Sequence, residues 1–171
     1  FGGESGQMIG KLLQEVQPIE QTTAPTQTRE LSEKEKILGE FSEFVFVNNN
    51  ETWEGIFRQN GMTYQQPGMV LFDDGVSTAC GNASSAVGPF YCPADQKVYM
   101  DLRFFDELHT RFGAKEGDFA VAYVIAHEIG HHVQNILGTN EKVRKAQQQT
   151  NQTNANKLSV AQELQADFYA G

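Results

Sequence analysis

Two histidines and a glutamate in the run His127-Glu128-Ile129-Gly130-His131 are the residues of this sequence best suited to chemistry. On a helix, residues four apart lie on one face about one turn apart, so the imidazoles of His127 and His131 can reach one metal ion. Glu128 lies about 100° further round the helix, which is near that ion without having to be a ligand. The run predicts a zinc-peptidase helix with Glu128 as general base.

The flanking sequence separates this run from a chance HExxH match, which is common in unrelated proteins. In the segment Gly117–Gly138, Asp118 is a good N-cap, Gly138 is a good C′ residue, and Phe119–Ala126 is apolar on every side. Unpaired titratable groups are costly to bury at the end of such a helix. We therefore expect a buried central helix, from Asp118 to Gly138, that carries a metal site.

A catalytic zinc needs a third protein ligand besides the two histidines. The metzincin extension would require Gly at position 134 and His at position 137, and the chain has Gln134 and Leu137 there. No histidine follows His132, so the third ligand is expected among the downstream carboxylates. Glu141 lies just beyond the helix stop, too close in sequence to fold back easily.

Glu163 and Asp167 are the remaining candidates, and they are four apart on one predicted helix that opens with the capping box Ser159 and Gln162. One carboxylate can bind zinc while the other accepts the N–H of a ligating imidazole. The usual order of such pairs assigns Glu163 to the metal and Asp167 to orienting His127. The alternative is a helix with two surface acids.

Cys80 and Cys92 flank a Gly/Ser-rich segment and are expected to form a disulfide. Such a bridge stabilises the fold by about 3 kcal/mol in the chain-entropy model and indicates an oxidising, extracytoplasmic compartment. Two unrelated thiols are the alternative. A role in the metal site is less suitable, because a His, His, carboxylate set needs no thiolate.

The remaining pattern predicts an α+β domain, mostly helical and zincin-like, with a small antiparallel sheet packed on the active-site helix. The capping box of Ser32 and Glu35 opens a helix that runs out at Asn48–Asn50, and Thr52 caps a second one. Asp101 caps a helix that ends at Gly113. Strands are expected at 68–72, 89–91 and 97–100, a loop at 80–88, and an exposed polar helix or connection at 139–157.

Charge and hydropathy exclude other classes. The net charge of −9 argues against nucleic-acid binding, and no apolar run is long enough to span a membrane. Residues 1–30 are expected to be a linker or leader, and residues 31–171 the peptidase domain. Because the chain begins without methionine and ends inside a predicted helix, we expect it to be part of a longer protein.

HEIGHH followed by ELQAD resembles the gluzincin metallopeptidases. More narrowly, TACG, SAVGPFYCP, VYMD, GDFAVAYVIAHEIGHHVQ and ELQADFYAG resemble the bacterial family of neutral zinc metallopeptidases, the YpfJ-like proteins, over roughly residues 63–171. The resemblance implies zinc as cofactor, a peptide or protein as substrate, and a membrane anchor in a segment outside this chain. It also implies an extracytoplasmic location in the bacterial cell envelope.

Two questions stay open from sequence. A peptidase needs a donor for the oxyanion, and the candidates are Tyr169, His109 and Tyr123. His132 is expected to point away from the metal. The alternative function is a catalytically silent metal-binding module that recognises peptides or partner proteins.

Overall fold

The computed structural model describes Glu30 and residues 32–171, apart from the side chains of residues 85, 112 and 114–116. The predicted linker at residues 1–30 lies, except for Glu30, outside the described residues, and the unit that carries the site is Leu31–Gly171. No helix among the described residues combines the length and hydropathy needed to cross a bilayer. Five helices are present in this part: α1 (Glu33–Gln59), α2 (Leu102–Phe112), α3 (Ala114–Ile136), α4 (Thr139–Gln148) and α5 (Gln152–Ala170).

The five strands of the described part confirm the α+β class. They are β1 (Gly68–Phe72), β2 (Gly75–Thr78), β3 (Gly81–Ser84), β4 (Phe90–Cys92) and β5 (Lys97–Asp101). Strands β1, β5 and β4 form one sheet in that order, with β4 antiparallel and β1 parallel to β5. The sheet is therefore mixed rather than purely antiparallel, and β4 is one of its edges.

The expected loop at 80–88 instead contains β3, which pairs with β2 in an antiparallel hairpin. The turn is built by Thr78, whose hydroxyl accepts the N–H of Cys80 and donates to the carbonyl of Gly81. Gly81 has a φ of +116°, which glycine adopts without a Cβ penalty. The predicted disulfide is confirmed: Cys80 and Cys92 are bonded, with Cα atoms 5.8 Å apart, and they join this hairpin to β4.

Helix α1 is one continuous helix of 27 residues, so the predicted break at Asn48–Asn50 is wrong. The asparagine amides and the Thr52 hydroxyl donate to carbonyls one turn back, at 2.7–2.9 Å, within the helix. Polar side chains that often end helices are thereby satisfied inside one. The capping box of Ser32 and Glu35 at its start is confirmed.

Helix α3 starts at Ala114, not after Asp118, so the predicted N-cap is wrong. Gly113 ends α2 with a φ of +79° and the chain enters α3 at the next residue, which places Asp118 in the second turn. The predicted end is confirmed, since Gly138 follows the C-cap residue in a left-handed conformation.

The N-terminal half of α3 is one-sided rather than buried all round. Phe119 is 75% exposed and Tyr123 is 40% exposed. The opposite face consists of fully buried residues four apart, Val121, Ile125, Ile129 and Val133, and the first three of these lie in the main hydrophobic core with residues of α1, α2 and β5. This stripe positions the histidine motif at the end of a packed helix.

The polar stretch after Gly138 forms α4 and the first turns of α5. Asn151 caps α5 by accepting the N–H of Asn154, so the predicted start at Ser159 is wrong. Ser159 lies inside the helix and accepts a hydrogen bond from Gln147 at 2.8 Å. The early turns carry few apolar residues, Ala155 and Leu158, and periodicity therefore did not reveal them.

Candidate metal centre

The candidate centre lies where α3 and α5 pack against each other. A Cβ placed on Gly130 would lie 2.9 Å from the carbonyl oxygen of Ala166 and 3.2 Å from its Cα. Ala166 is itself fully buried. The contact is therefore between backbones, and it brings the histidine-bearing turn of α3 beside the acidic turn of α5.

Three side chains converge at this contact. The Nε2 atoms of His127 and His131 are 3.1 Å apart, and the Oε2 of Glu163 lies 3.4 Å from the first and 3.3 Å from the second. Tetrahedral ligands at about 2.0–2.1 Å from a zinc ion lie about 3.3 Å from one another. The two imidazoles and the carboxylate match the donor types and the spacing that a zinc ion requires. Among the described residues, they form the cluster of His, Cys, Asp or Glu side chains that could hold a metal ion.

Asp167 orients the first of these imidazoles. Its Oδ1 lies 2.8 Å from the Nδ1 of His127 and also accepts the hydroxyl of Tyr123 at 2.6 Å. The hydrogen bond from Tyr123, together with that from His127, outweighs desolvation and holds the pKa of Asp167 below its ordinary value. An ionised carboxylate at this position accepts the Nδ1 proton, which leaves the Nε2 lone pair of His127 directed toward the other two donors.

Glu128 is buried, in contrast to Glu163, whose side chain is 60% exposed. Burial raises the pKa of Glu128 to about 7, with a further increase from Glu163, while His131 and the backbone N–H of Tyr91 oppose the rise. A metal cation bound by His127, His131 and Glu163 would lower the pKa of Glu128 again. Burial and a bound cation thus act on the pKa of Glu128 in opposite directions.

A cleft of ≈ 340 Å³ opens onto these residues. One wall is β4 with the preceding Pro89, and the other contains His127, Glu128, His131 and Glu163. The side chains of Asn140 and Gln162 also line it and are joined by a hydrogen bond of 2.7 Å. The sequence did not indicate which strand borders the site, and the structure identifies it as the edge strand β4.

The three oxyanion candidates lie elsewhere. The Tyr123 hydroxyl is engaged with Asp167, and Tyr169 packs edge-on against Trp53 at a centroid distance of 5.2 Å. The Nε2 of His109 faces Asp118 at 3.2 Å, between α2 and α3. None of the three is among the residues that line the described cleft.

Two residues next to the centre escaped the sequence analysis. Tyr91 on β4 donates its hydroxyl hydrogen toward His132, which is buried and turned away from the metal ligands. Gln134, fully buried on α3, lies 3.0 Å from the Nδ1 of His131. Its position three residues after His131 was a usable signal, whereas Tyr91 is 41 residues from its partner and gave none.

The chain belongs to the family described as "Putative neutral zinc metallopeptidase", whose model matches residues 1–171. It is 46% identical over 155 residues to "Uncharacterized protein YpfJ" of Escherichia coli K12. The aligned region covers 91% of this chain and 53% of that protein. It is also 51% identical over 108 residues to "Uncharacterized protein Rv2575" of Mycobacterium tuberculosis H37Rv, covering 63% of this chain and 35% of that protein. The chain thus spans about half the length, or less, of these relatives. No solved structure matches it significantly. The predicted family is confirmed.

Proposed function

We propose that this chain is the zinc-binding part of a metallopeptidase that hydrolyses peptide bonds. The observation that carries the proposal is the convergence of His127, His131 and Glu163, with donor atoms 3.1–3.4 Å apart, beside the buried carboxyl group of Glu128. A zinc ion in a site of two imidazoles and one carboxylate lowers the pKa of the water it binds to about 7 and polarises a carbonyl group.

Glu128 is the general base in this proposal. A base works best when its pKa lies near the operating pH. Burial raises the pKa of Glu128, and the positive charge of a bound ion would oppose that rise. Its carboxylate takes a proton from the attacking water and delivers it to the leaving amine. Glu128 is only 7% exposed, so bulk water has little access to its carboxyl group except through the cleft that it lines.

The substrate is an extended peptide that binds along β4. An exposed sheet edge recognises a peptide by main-chain hydrogen bonds, and β4 is an edge that also forms one wall of the cleft. The backbone N–H of Tyr91 donates to Glu128, so it points toward the cleft and away from β5. A peptide along this edge would therefore bond the outward-facing carbonyl of Tyr91. A peptide laid along this edge passes directly over the candidate centre.

Two amides in the cleft are better placed than the three earlier candidates to stabilise an oxyanion. Apart from the imidazoles, Asn140 and Gln162 carry the side-chain N–H donors that line the cleft. Gln162 donates to the Oδ1 of Asn140, so the Asn140 amide hydrogens are not used in this bond. The Asn140 Nδ2 lies 3.5 Å from the Oδ1 of Asn135, which is a long hydrogen bond. Preorganised donors of this kind lower the barrier when negative charge develops on an oxygen.

The proposed location is extracytoplasmic, with membrane attachment through a segment outside this chain. The disulfide between Cys80 and Cys92 supports the compartment, because such bonds persist where the environment is oxidising. The anchor and the association with the bacterial cell envelope stay predictions from the family resemblance.

The test is a comparison of wild type with Glu128→Gln for zinc content and for cleavage of casein and a peptide library, each with and without chelator. The proposal expects one zinc per chain in both proteins, chelator-sensitive cleavage by wild type, and no cleavage by Glu128→Gln. Equal cleavage by the variant would refute the base. Zinc binding with no cleavage by wild type would instead support the silent peptide-recognition module.

A further inference from the structure

Gln134 is a buried polar residue to which the proposed mechanism gives no task. It lies on α3 one turn after His131 and is fully buried. Its Oε1 lies 3.0 Å from the Nδ1 of His131, and its Nε2 lies 2.7 Å from the carbonyl oxygen of Gln162 and 3.0 Å from the Oε1 of Gln165. Three polar partners for one amide without solvent access make a fully satisfied network.

The partners dictate which way the amide faces. A backbone carbonyl only accepts hydrogen bonds, so the atom of Gln134 facing the Gln162 carbonyl must be the N–H donor. The oxygen of Gln134 therefore faces His131, and the Nδ1 of His131 must carry a proton in order to donate to it. This arrangement leaves the lone pair of His131 on Nε2, which is the atom 3.3 Å from Glu163.

The same amide also holds the helix that carries Glu163. Its two N–H groups bond to Gln162 and Gln165, which flank Glu163 on α5. A displacement of α5 along its axis would break both bonds. Gln134 therefore connects one candidate ligand to the segment that bears another, across the contact between Gly130 and Ala166.

We propose that Gln134 is the positioning residue of His131, as Asp167 is of His127, and that it sets both the His131 tautomer and the placement of Glu163. The inference rests on the proposed zinc site and deepens it. An amide that holds one ligand and the neighbours of another would make zinc affinity depend on a residue that never touches the metal. Residues that orient metal-bound imidazoles typically change metal affinity by about 10–100-fold when replaced.

The test compares the wild-type protein with three variants. Gln134→Met keeps the length and loses all three hydrogen bonds, and Gln134→Glu keeps an acceptor toward His131 while losing amide donors to α5. Gln147→Met is the matched control, because Gln147 also bonds α5, through Ala155 and Ser159, but contacts neither His131 nor the neighbours of Glu163. The readouts are the dissociation constant for Zn²⁺, by competition with a chromophoric chelator, and the His131 tautomer in the metal-free protein, by nitrogen NMR.

The expected result is a proton on Nδ1 of His131 in wild type, Gln134→Glu and Gln147→Met, and a mixture of tautomers in Gln134→Met. Zinc should bind Gln134→Met about 10–100-fold more weakly than wild type, and Gln147→Met within about threefold of it. If Gln134 were merely structural, Gln134→Glu would be the most disruptive variant, because its buried carboxylate would face the Gln162 carbonyl. It would then show the largest loss of the Nδ1 tautomer of His131 among the variants.

Unchanged tautomer and unchanged zinc affinity in Gln134→Met would overturn the proposal. If that variant does not fold, a His131 proton found on Nε2 in Gln134→Glu overturns it instead. Wild type that fails to bind zinc would refute the proposed function, while the tautomer measurement still decides the role of Gln134.

Discussion

Gly130 and Ala166 bring α3 and α5 so close together that no side chain fits between their backbones at this point. A Cβ on Gly130 would lie 2.9 Å from the carbonyl oxygen of Ala166, which is nearer than real contacts allow. His131 follows Gly130 directly, and Glu163 lies three residues before Ala166. The separation of the ligands is thus determined by a glycine that carries no chemistry itself.

The first prediction concerns Gly130→Ala. Because the obstructing atoms belong to the backbone, α5 must move, and we expect a loss of about 1–3 kcal/mol in unfolding free energy from overpacking. Displacement of Glu163 should also weaken zinc binding. Chemical denaturation and zinc competition measure the two effects.

Gly55→Ala on α1 is the matched control. Gly55 lies in a helix and has no atom within 4 Å of its added Cβ, so this variant should gain about 0.5–1 kcal/mol from helix propensity. A Gly130→Ala variant that is as stable as wild type and binds zinc with wild-type affinity would contradict this prediction, because α3 and α5 could then separate without consequence.

The second prediction concerns Tyr91→Phe. The Tyr91 hydroxyl lies 2.9 Å from the Nδ1 of His132 and accepts the amide of Asn135 at 3.1 Å, while the Nε2 of His132 lies 2.6 Å from the carbonyl of Gln65. The Gln65 carbonyl requires a proton on Nε2, so Tyr91 must donate to Nδ1. Removing this hydroxyl leaves the buried Nδ1 of His132 and the half-buried amide of Asn135 without this partner, and it should cost about 1–3 kcal/mol of unfolding free energy.

Zinc affinity should not change in Tyr91→Phe, because the hydroxyl touches none of the three candidate ligands. The peptide KM should rise, since β4 loses its side-chain anchor to α3 and keeps only the backbone bond from Tyr91 to Glu128. Tyr99→Phe on the adjacent strand is the comparison, as its hydroxyl bonds Asp95 and no residue of α3. A KM that rises equally in both variants would argue against a specific role for the Tyr91 anchor.

The contribution of Asp95 to stability should depend on pH. Burial raises the pKa of Asp95, but hydrogen bonds from the Tyr99 hydroxyl and from the N–H groups of Ala79 and Lys97 outweigh it, and the net pKa lies below its ordinary value. A carboxylate with a depressed folded-state pKa contributes stability that is present above the unfolded pKa of about 3.9 and is lost as pH falls through the folded value.

Asp95→Asn should therefore be less stable than wild type at pH 6, with the difference shrinking as the pH is lowered below about 4. Denaturant unfolding of both proteins between pH 6 and pH 2.5, with the disulfide intact, measures the difference. A gap that stays constant across this range would contradict the assignment.

The chemistry of the candidate site could be predicted from sequence because it is local. The spacing of His127 and His131, and that of Glu163 and Asp167, places each pair on one helical face whatever the surrounding fold. Elimination of other carboxylates then linked the two helices. The structure brings all four side chains together, and their roles in binding and catalysis stay predictions.

The missed features depend on competition or on distance. Asp118 and Ser159 are good cap residues, but Gly113 and Asn151 start the helices earlier, and a pattern does not rank rival signals. Asn48–Asn50 and Thr52 look like a helix end until their i−4 hydrogen bonds are seen. The contact of Gln134 with α5 spans 28 residues and needs the packed structure.

The most direct test of the central claim is a crystal structure of the zinc-loaded protein with anomalous diffraction at the zinc edge. The account predicts one anomalous peak per chain, contacted by the Nε2 atoms of His127 and His131 and by the carboxylate of Glu163, with Asp167 on the Nδ1 of His127. A peak whose coordination sphere lacks Glu163, or no peak at this position, would contradict it.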